Sequence, residues 1–141
     1  MTKPEILHLQ PKDSPIPKNA YSPGILVPLP GAEMLFVTGQ IAVDAQGSVI
    51  APNDPQKQAE AVFENIRKIL EAAGLDFRDV VKAQIFLTNI KDFAVVSEVR
   101  NKYFAESKPV STMLEVSKLV REGCCVEIEV IAMRLKSDGK P

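Results

Sequence analysis

Two glutamates near the end of the chain, Glu127 and Glu129, are the first candidates for chemistry. They alternate with apolar residues in the run CCVEIEVIAMRL, and this period of two predicts a β-strand with both carboxylates on one face, roughly 7 Å apart. A carboxylate in a partly dry cleft has a raised pKa and can serve as a general base. The alternative is that Glu127 is solvated or paired on a polar patch, and spacing alone does not separate the two. Glu129 is interpreted as a structural residue.

Arg100 is unusual because it places a cation on a mainly apolar helical stripe. It follows Phe93 and Val96 and precedes Tyr103 at steps of three and four residues. One interpretation is that its aliphatic stem packs flat while the guanidinium reaches solvent or an acidic neighbour. The other is that the guanidinium faces a ligand and binds an anionic group.

The sequence has few of the residues that histidine relays, reactive thiols or metal sites require. His8 is the only histidine, which argues against a Ser-His or Cys-His relay and against a histidine-based ribonuclease mechanism. Cys124 and Cys125 are adjacent in an apolar run, which predicts reduced strand residues and a reducing compartment. These three residues do not make a tetrahedral metal site, and no glycine-rich phosphate loop occurs, so we expect no metal and no cofactor.

Composition predicts a single domain without a strong electrostatic field. The 141 residues are 45% apolar, enough for one packed core, and 17 lysines and arginines against 18 acidic residues give a net charge of −1. This balance argues against a nucleic-acid partner or an anionic membrane surface. The start has charges and prolines where a signal peptide has an apolar core, and no apolar run reaches the ~20 residues of a membrane span, so we expect a cytoplasmic protein.

Hydrophobic periodicity divides the chain into strands and two helices. Prolines recur through residues 11–31 and predict an ordered loop with at most a short edge strand. Helices are predicted over 55–73, capped by Asp54, and over about 92–105. Extended runs occupy 34–43, 80–89, 111–119 and 124–135, and a flexible tail is expected over 136–141.

This order predicts one α+β domain over residues 1–141, with two similar strand-helix-strand halves and both helices on one face of a mixed sheet. On the last strand Val126, Ile128 and Val130 point one way, while Ile131 and the glutamates point the other. The second face is largely apolar, and two helices cannot cover it. We therefore expect it to be buried against other subunits.

Five segments follow one another along nearly the whole chain: Asn19-Ala20-Tyr21-Ser22, FVTGQIAVDAQG (36–47), FENIRKILEAAGLDFRDVVKAQIFLTNIKDF (63–93), LEVSKL (114–119) and VEIEVIA (126–132). In this order and at this spacing they resemble the RidA/YjgF family, small proteins described as enamine/imine deaminases, perchloric-acid-soluble ribonucleases and translation initiation inhibitors. The resemblance implies a chorismate-mutase-like fold of the β-α-β-β-α-β type. It also implies a homotrimer whose sheets form a central barrel, with three ligand clefts at the subunit seams.

The resemblance also implies roles for individual residues. Glu127 matches the acidic residue that positions or activates the attacking water in deaminating members, which favours the site interpretation. Tyr21 matches a tyrosine on a loop over the cleft, or alternatively only anchors that loop on the sheet. Thr38 and Gly39 match strand residues that line the cleft, and Ser97 stands where active members often carry asparagine.

The main departure from the family pattern lies at Ser111. Deaminating members have an arginine there, in a Pro-Ala-Arg-Ser/Thr stretch, and its planar guanidinium binds the substrate carboxylate. This chain has Pro109-Val110-Ser111-Thr112, and a serine cannot hold a carboxylate by charge. Arg100, where the family often has tyrosine, is the named candidate for the missing cation. Losing a charged bidentate contact costs on the order of 100-fold in rate, so slow or absent hydrolysis of simple 2-imino acids is predicted.

Three functions are compatible with these residues. The first is a trimeric protein that binds a small carboxylate, carbonyl or imine compound at its seams and hydrolyses an enamine or imine, with Glu127 orienting water. The second is a binding protein or holdase that keeps the scaffold without catalysis. RNA cleavage with translation inhibition follows only from the family's older descriptions, and the lack of a basic excess weighs against it.

Overall fold

The computed structural model describes residues 5–137, and among these it contains six β-strands and two α-helices. In chain order they are β1 (Leu7–Leu9), β2 (Gly24–Leu29), β3 (Ala32–Gln40), α1 (Pro55–Ala72), β4 (Val80–Leu87), α2 (Phe93–Tyr103), β5 (Val110–Glu115) and β6 (Val126–Leu135). Single 3₁₀ turns precede β4 and α2. The predicted strands and helices all occur, with boundaries shifted by a few residues.

Helix α1 has the start and stop that its sequence predicts. The Asp54 side chain accepts a hydrogen bond from the backbone N–H of Lys57 at 3.0 Å, and Pro55 fills the first helical position, where no backbone donor is needed. Gly74 follows the helix with φ +74°, a left-handed conformation that other residues adopt only with strain. The apolar side of the helix, which includes Phe63 and Ile66, is fully buried.

The strands form one sheet in the order β1-β2-β3-β6-β4-β5. Neighbouring strands are antiparallel except for β4 and β5, which are parallel and joined through α2. Because β3 and β4 are both antiparallel to β6, they run in the same direction on either side of it. The two predicted strand-helix-strand halves are therefore β3-α1-β4 and β4-α2-β5, which confirms the α+β assignment with the helices on one face.

Strand β2 corrects the prediction that residues 11–31 form a loop with at most a short edge strand. It is six residues long and lies between β1 and β3, so it is internal to the sheet. Strand β1 pairs only with residues 24–26 of β2. Pro28 therefore lies beyond the end of β1, where no neighbouring strand needs the backbone donor that proline lacks.

The face of the sheet opposite the helices is open in the single chain. Along β6, Val126, Ile128 and Val130 are almost fully buried, whereas the alternate residues are more accessible. Phe36 on the neighbouring β3 is 42% exposed on this open face. The predicted alternation of β6 is thus confirmed, and an apolar surface remains uncovered.

At the two ends of the chain, the described residues stop short of the termini. The prediction of a flexible tail from residue 136 is wrong for Lys136, which donates its backbone N–H to Gly31 and pairs its ammonium with Glu33 at 3.1 Å. The rest of that prediction, residues 138–141, lies outside the described residues. Within 5–137, neither helix is long and apolar enough to cross a membrane.

Candidate functional site

Glu127 lies on the open face of the sheet, directly over the backbone of Gly39. A β-carbon built on Gly39 would be 3.0 Å from the carboxyl carbon of Glu127 and closer still to its Oε2 atom. Glycine is therefore required at this position if Glu127 is to keep its place. The sequence predicts that another backbone or a ligand comes close to Gly39. In the single chain, the space beside Gly39 is occupied by the side chain of Glu127.

The environment of Glu127 favours the protonated carboxyl more than water does. Burial raises its pKa above the usual range, and the negative charge of Glu129 on the same face raises it further. Among residues 5–137, no donor forms a hydrogen bond or ion pair with the Glu127 carboxylate. A half-buried carboxyl with free oxygen atoms can accept a proton from a bound water molecule and return it.

A cavity of about 670 Å³ opens on the same face, beneath the loop that carries Tyr21. Thr38 and Glu129 line it from the sheet, and Tyr21 is 56% exposed above it. The phenol has no hydrogen-bond partner among the described residues. Tyr21 thus lies at this cavity with its phenol unpaired among the described residues, and its contact with a ligand stays a prediction.

Hydrogen bonds from β1 and β3 hold the Tyr21 loop against the sheet. The Thr38 hydroxyl donates to the carbonyl of Ser22 at 2.5 Å, and the Thr38 backbone N–H donates to the carbonyl of Pro23 at 2.9 Å. His8 Nδ1 lies 2.8 Å from the Ser22 hydroxyl. Because the loop has these anchors on both sides, the position of Tyr21 does not depend on its own phenol.

Arg100 and Ser111 meet at the opposite face of the sheet, along its β5 edge. The guanidinium Nη1 of Arg100 donates to the Ser111 hydroxyl at 3.4 Å, and its Nε donates to the side chain of Asn101 at 3.2 Å. Both residues line a second cavity, of about 390 Å³, together with Lys108. The side chain that replaces the family's arginine is therefore in contact with the cation that was predicted to compensate for it.

Ser97 is buried on α2, with 8% of its surface exposed, and lines neither of these cavities. Its hydroxyl has no hydrogen-bond partner among the described residues. Ser97 therefore contacts no space in the single chain that a ligand would fill, and its predicted ligand role has no geometric support there.

The predicted site residues fall on two faces of one chain. Glu127 pairs with Phe86 on β4, and Ser111 pairs with Ala83 three residues earlier on the same strand, so the two side chains point in opposite directions. They lie two strands and three residues apart, which is about 14 Å between their α-carbons. One copy of the chain does not bring Glu127 and Arg100 to a common ligand.

Several residues that line the cavities were not predicted as site residues. Glu129, interpreted as structural, borders the first cavity beside Lys82 and Gln84 of β4. Their alternation with buried Ala83 and Ile85 is visible in the sequence, but the position of β4 next to β6 is not. Lys108 gave no signal, because it belongs to a connection without periodicity.

The cysteines and the histidine do not form a metal site. Cys124 and Cys125 are free and buried, and among residues 5–137 no cluster of histidine, cysteine and acidic side chains has the arrangement to hold an ion. Burial raises the pKa of Cys125 to about 11 and also raises that of Cys124. These thiols are therefore protonated at neutral pH, which is consistent with unreactive cysteines. The prediction that they are strand residues is wrong, because β6 begins at Val126 and both lie in the connection just before it.

Comparison with known sequences gives a family match over most of the chain. Residues 11–134 match the family model described as Endoribonuclease L-PSP. A RutC family protein of Pyrococcus abyssi is 40% identical over 121 residues, covering 86% of this chain and 91% of its own length. The rat protein named 2-iminobutanoate/2-iminopropanoate deaminase is 34% identical over 121 residues, covering 86% of this chain and 85% of its own.

Comparison with solved structures gives the same family as the sequence comparison. YyfA of Yersinia pestis, described as a member of the conserved Rid protein family, superposes with a TM-score of 0.81 and 34% sequence identity, covering 91% of this chain and 98% of its own. The sequence motifs, the mixed sheet with two helices on one face and these matches point to the same group. The chain belongs to the RidA/YjgF family.

Proposed function

We propose that this protein hydrolyses a small enamine or imine metabolite in clefts between copies of itself. Members of the family are named imine deaminases, and the observation that carries the proposal is the state of Glu127. This carboxyl is half-buried, has a raised pKa and has no partner among the described residues to occupy its oxygen atoms. Such a carboxyl supports proton transfer to and from water.

The chemistry requires only water and one group that exchanges protons. The water oxygen attacks the carbon of the protonated imine while Glu127 takes a proton from that water, which gives a neutral tetrahedral carbinolamine. Glu127 then returns the proton to nitrogen. The C–N bond breaks as the hydroxyl proton passes to Glu127, which forms the 2-oxo compound and ammonia. Ammonia takes this proton and leaves as ammonium, which restores the Glu127 carboxylate. An enamine enters the same sequence after tautomerising to the imine.

The proposal needs a second copy of the chain, because the anion-binding and proton-transferring residues are on opposite faces of one copy. Stacking the open face of one sheet against the β5 edge of a neighbour would bring Glu127 of one copy toward Arg100 of the next. A threefold arrangement repeats this contact and covers every open face. The family resemblance supports the same homotrimer.

A trimer is the expected state in solution. Light scattering at micromolar concentration should give about three times the 15.4 kDa mass of the chain. Ile131→Glu places a charge in the middle of the open face and should shift the mass toward that of the monomer, since a buried unpaired charge is strongly unfavourable. Val120→Glu, at an 85% exposed site, is the matched control and should remain trimeric. A monomeric wild-type protein would contradict the seam proposal.

A second candidate, ligand binding without catalysis, is favoured by one observation. Serine replaces the family's arginine at position 111, and the nearby Arg100 reaches only its hydroxyl, through a long hydrogen bond. A protein with this change would keep the cleft but hold an imine too loosely for fast turnover. RNA cleavage is not proposed, because His8 is the only histidine and no basic excess is present.

The first test is release of ammonia from imines generated in situ by an amino-acid oxidase. For simple monocarboxylate 2-imino acids, the rate of hydrolysis with the protein should be only slightly higher than the uncatalysed rate, because Ser111 provides no positive charge for the carboxylate. An enamine or imine with a larger anionic group should be hydrolysed faster. If no imine is hydrolysed above the uncatalysed rate while small carboxylates still bind, the non-catalytic function is correct.

A further inference from the structure

Two basic residues without an acidic partner among the described residues line the second cavity. Arg100 and Lys108 both line it, and no carboxylate lies within 4.0 Å of either side chain among residues 5–137. Elsewhere in the described chain, arginines do form ion pairs with neighbouring carboxylates, as Arg134 does with Asp79 at 2.6 Å. Arg100 differs from them in having no such partner in this part of the chain. Two unpaired cations in one concave space concentrate positive potential there.

The rest of the cavity wall suits an anion. Arg100 uses two of its five N–H donors, on Asn101 and Ser111, so three remain available. The ammonium of Lys108 makes no hydrogen bond among the described residues and brings three further donors. Phe104 and Pro109 contribute apolar atoms to the cavity wall.

Lys108 is held in this place by an uncommon backbone conformation. Its φ is +45°, in the left-handed region where glycine is favoured, and its N–H donates to the carbonyl of Phe104 at 2.9 Å to close the turn after α2. A lysine here costs more than glycine would. This conformation fixes where the side chain leaves the turn, at the rim of the second cavity.

We infer that Arg100 and Lys108 together bind a doubly charged anionic group, so that the cleft prefers dicarboxylate or phosphorylated ligands to simple monocarboxylates. This inference deepens the proposed function, because it names the substrate class of the same cleft. A single arginine at position 111 would bind one carboxylate in a bidentate manner. Here the Arg100 guanidinium and the Lys108 ammonium are two separate cations. A ligand with two negative charges can contact both of them and should therefore bind more tightly than a ligand with one.

The test compares two stable 2-oxo acids by titration calorimetry on the intact protein. 2-Oxoglutarate, a dianion, should bind about tenfold more tightly than 2-oxobutanoate, a monoanion. Lys108→Gly should remove this preference by weakening 2-oxoglutarate far more than 2-oxobutanoate, and it relieves the left-handed strain, so the fold should be retained. Arg100→Gln should weaken both ligands about tenfold or more, with partial rescue by Arg100→Lys.

Lys102→Ala is the matched control, because it removes one positive charge from the exposed side of the same helix without touching the cavity. It should leave both affinities unchanged. The inference is overturned if the preference for the dianion is absent, if it survives in Lys108→Gly, or if Lys102→Ala lowers it equally. Because only binding is measured, a dianion preference without any hydrolysis would support the anion site and reject the catalytic function.

Discussion

Replacing Glu127 with glutamine is expected to slow imine hydrolysis by about 10²- to 10⁴-fold, the range in which a positioned general base contributes. Glutamine keeps the shape of the side chain over Gly39 but cannot accept the proton from water. Ligand affinity should change little, because the proposed anion site at Arg100 does not include Glu127. Steady-state rates of ammonia release, beside the affinity for a 2-oxo acid, separate the two effects.

The pH dependence of this reaction follows from the raised pKa of Glu127. A general base acts when deprotonated, so the rate should fall as the pH drops through that raised pKa. Glu129→Gln removes the second cause of the shift and should move the acidic limb of the profile to lower pH. Glu71→Gln, an equal change of charge on the exposed end of α1, should leave rate and profile unchanged. Wild-type turnover by Glu127→Gln would remove Glu127 from the mechanism.

Replacing Gln58 with leucine is expected to destabilise the protein by about 3–5 kcal/mol, because several buried polar groups lose their partner together. Gln58 is fully buried on α1. Its amide nitrogen donates to the carbonyls of Ile50, Ala51 and Gly123 at 2.8–3.2 Å, and its Oε1 accepts the backbone N–H of Cys125 at 2.7 Å. One side chain thus joins the loop before α1 to the loop before β6.

Urea and thermal unfolding at a fixed protomer concentration measure this loss. Gln56→Leu, on the exposed side of the same helix, is the matched control and should stay within about 0.5 kcal/mol of the wild type. Because β6 carries Glu127, Gln58→Leu should also lower activity below its unfolding temperature. A Gln58→Leu protein as stable as the control would show that water replaces the lost amide.

Local signals in the sequence predict the elements of this fold well. Helix α1 is set by Asp54, Pro55 and Gly74, whose effects are confined to a few neighbouring residues, and the structure confirms all three. The alternation along β6 is likewise local and is confirmed. Strand β2 was missed because Pro28 is unfavourable only if a neighbour needs its N–H, and that depends on where β1 ends.

The candidate site is less predictable, because it depends on which strands become neighbours. Gly39 could be identified as a point of close approach, but only the pairing of β3 with β6 shows that Glu127 approaches it. Tyr21, Thr38 and Glu127 are named as site residues by the family likeness alone, and those roles stay predictions. Lys108 became a candidate only through a backbone angle that no local pattern encodes. The separation of Glu127 from Arg100 on two faces also emerged only from the strand order.

The central claim is that each active site combines Glu127 of one copy with Arg100 of its neighbour, and complementation between two defective variants tests it most directly. Glu127→Gln and Arg100→Gln chains, co-expressed with different affinity tags, are purified as mixed assemblies and assayed with a dianionic imine at a concentration well below saturation. In a mixed trimer one of the three seams carries both unaltered residues, so about a third of the wild-type rate should return. If both residues served a site within one copy, every site would carry one substitution, and mixed assemblies no more active than either parent variant would contradict the account.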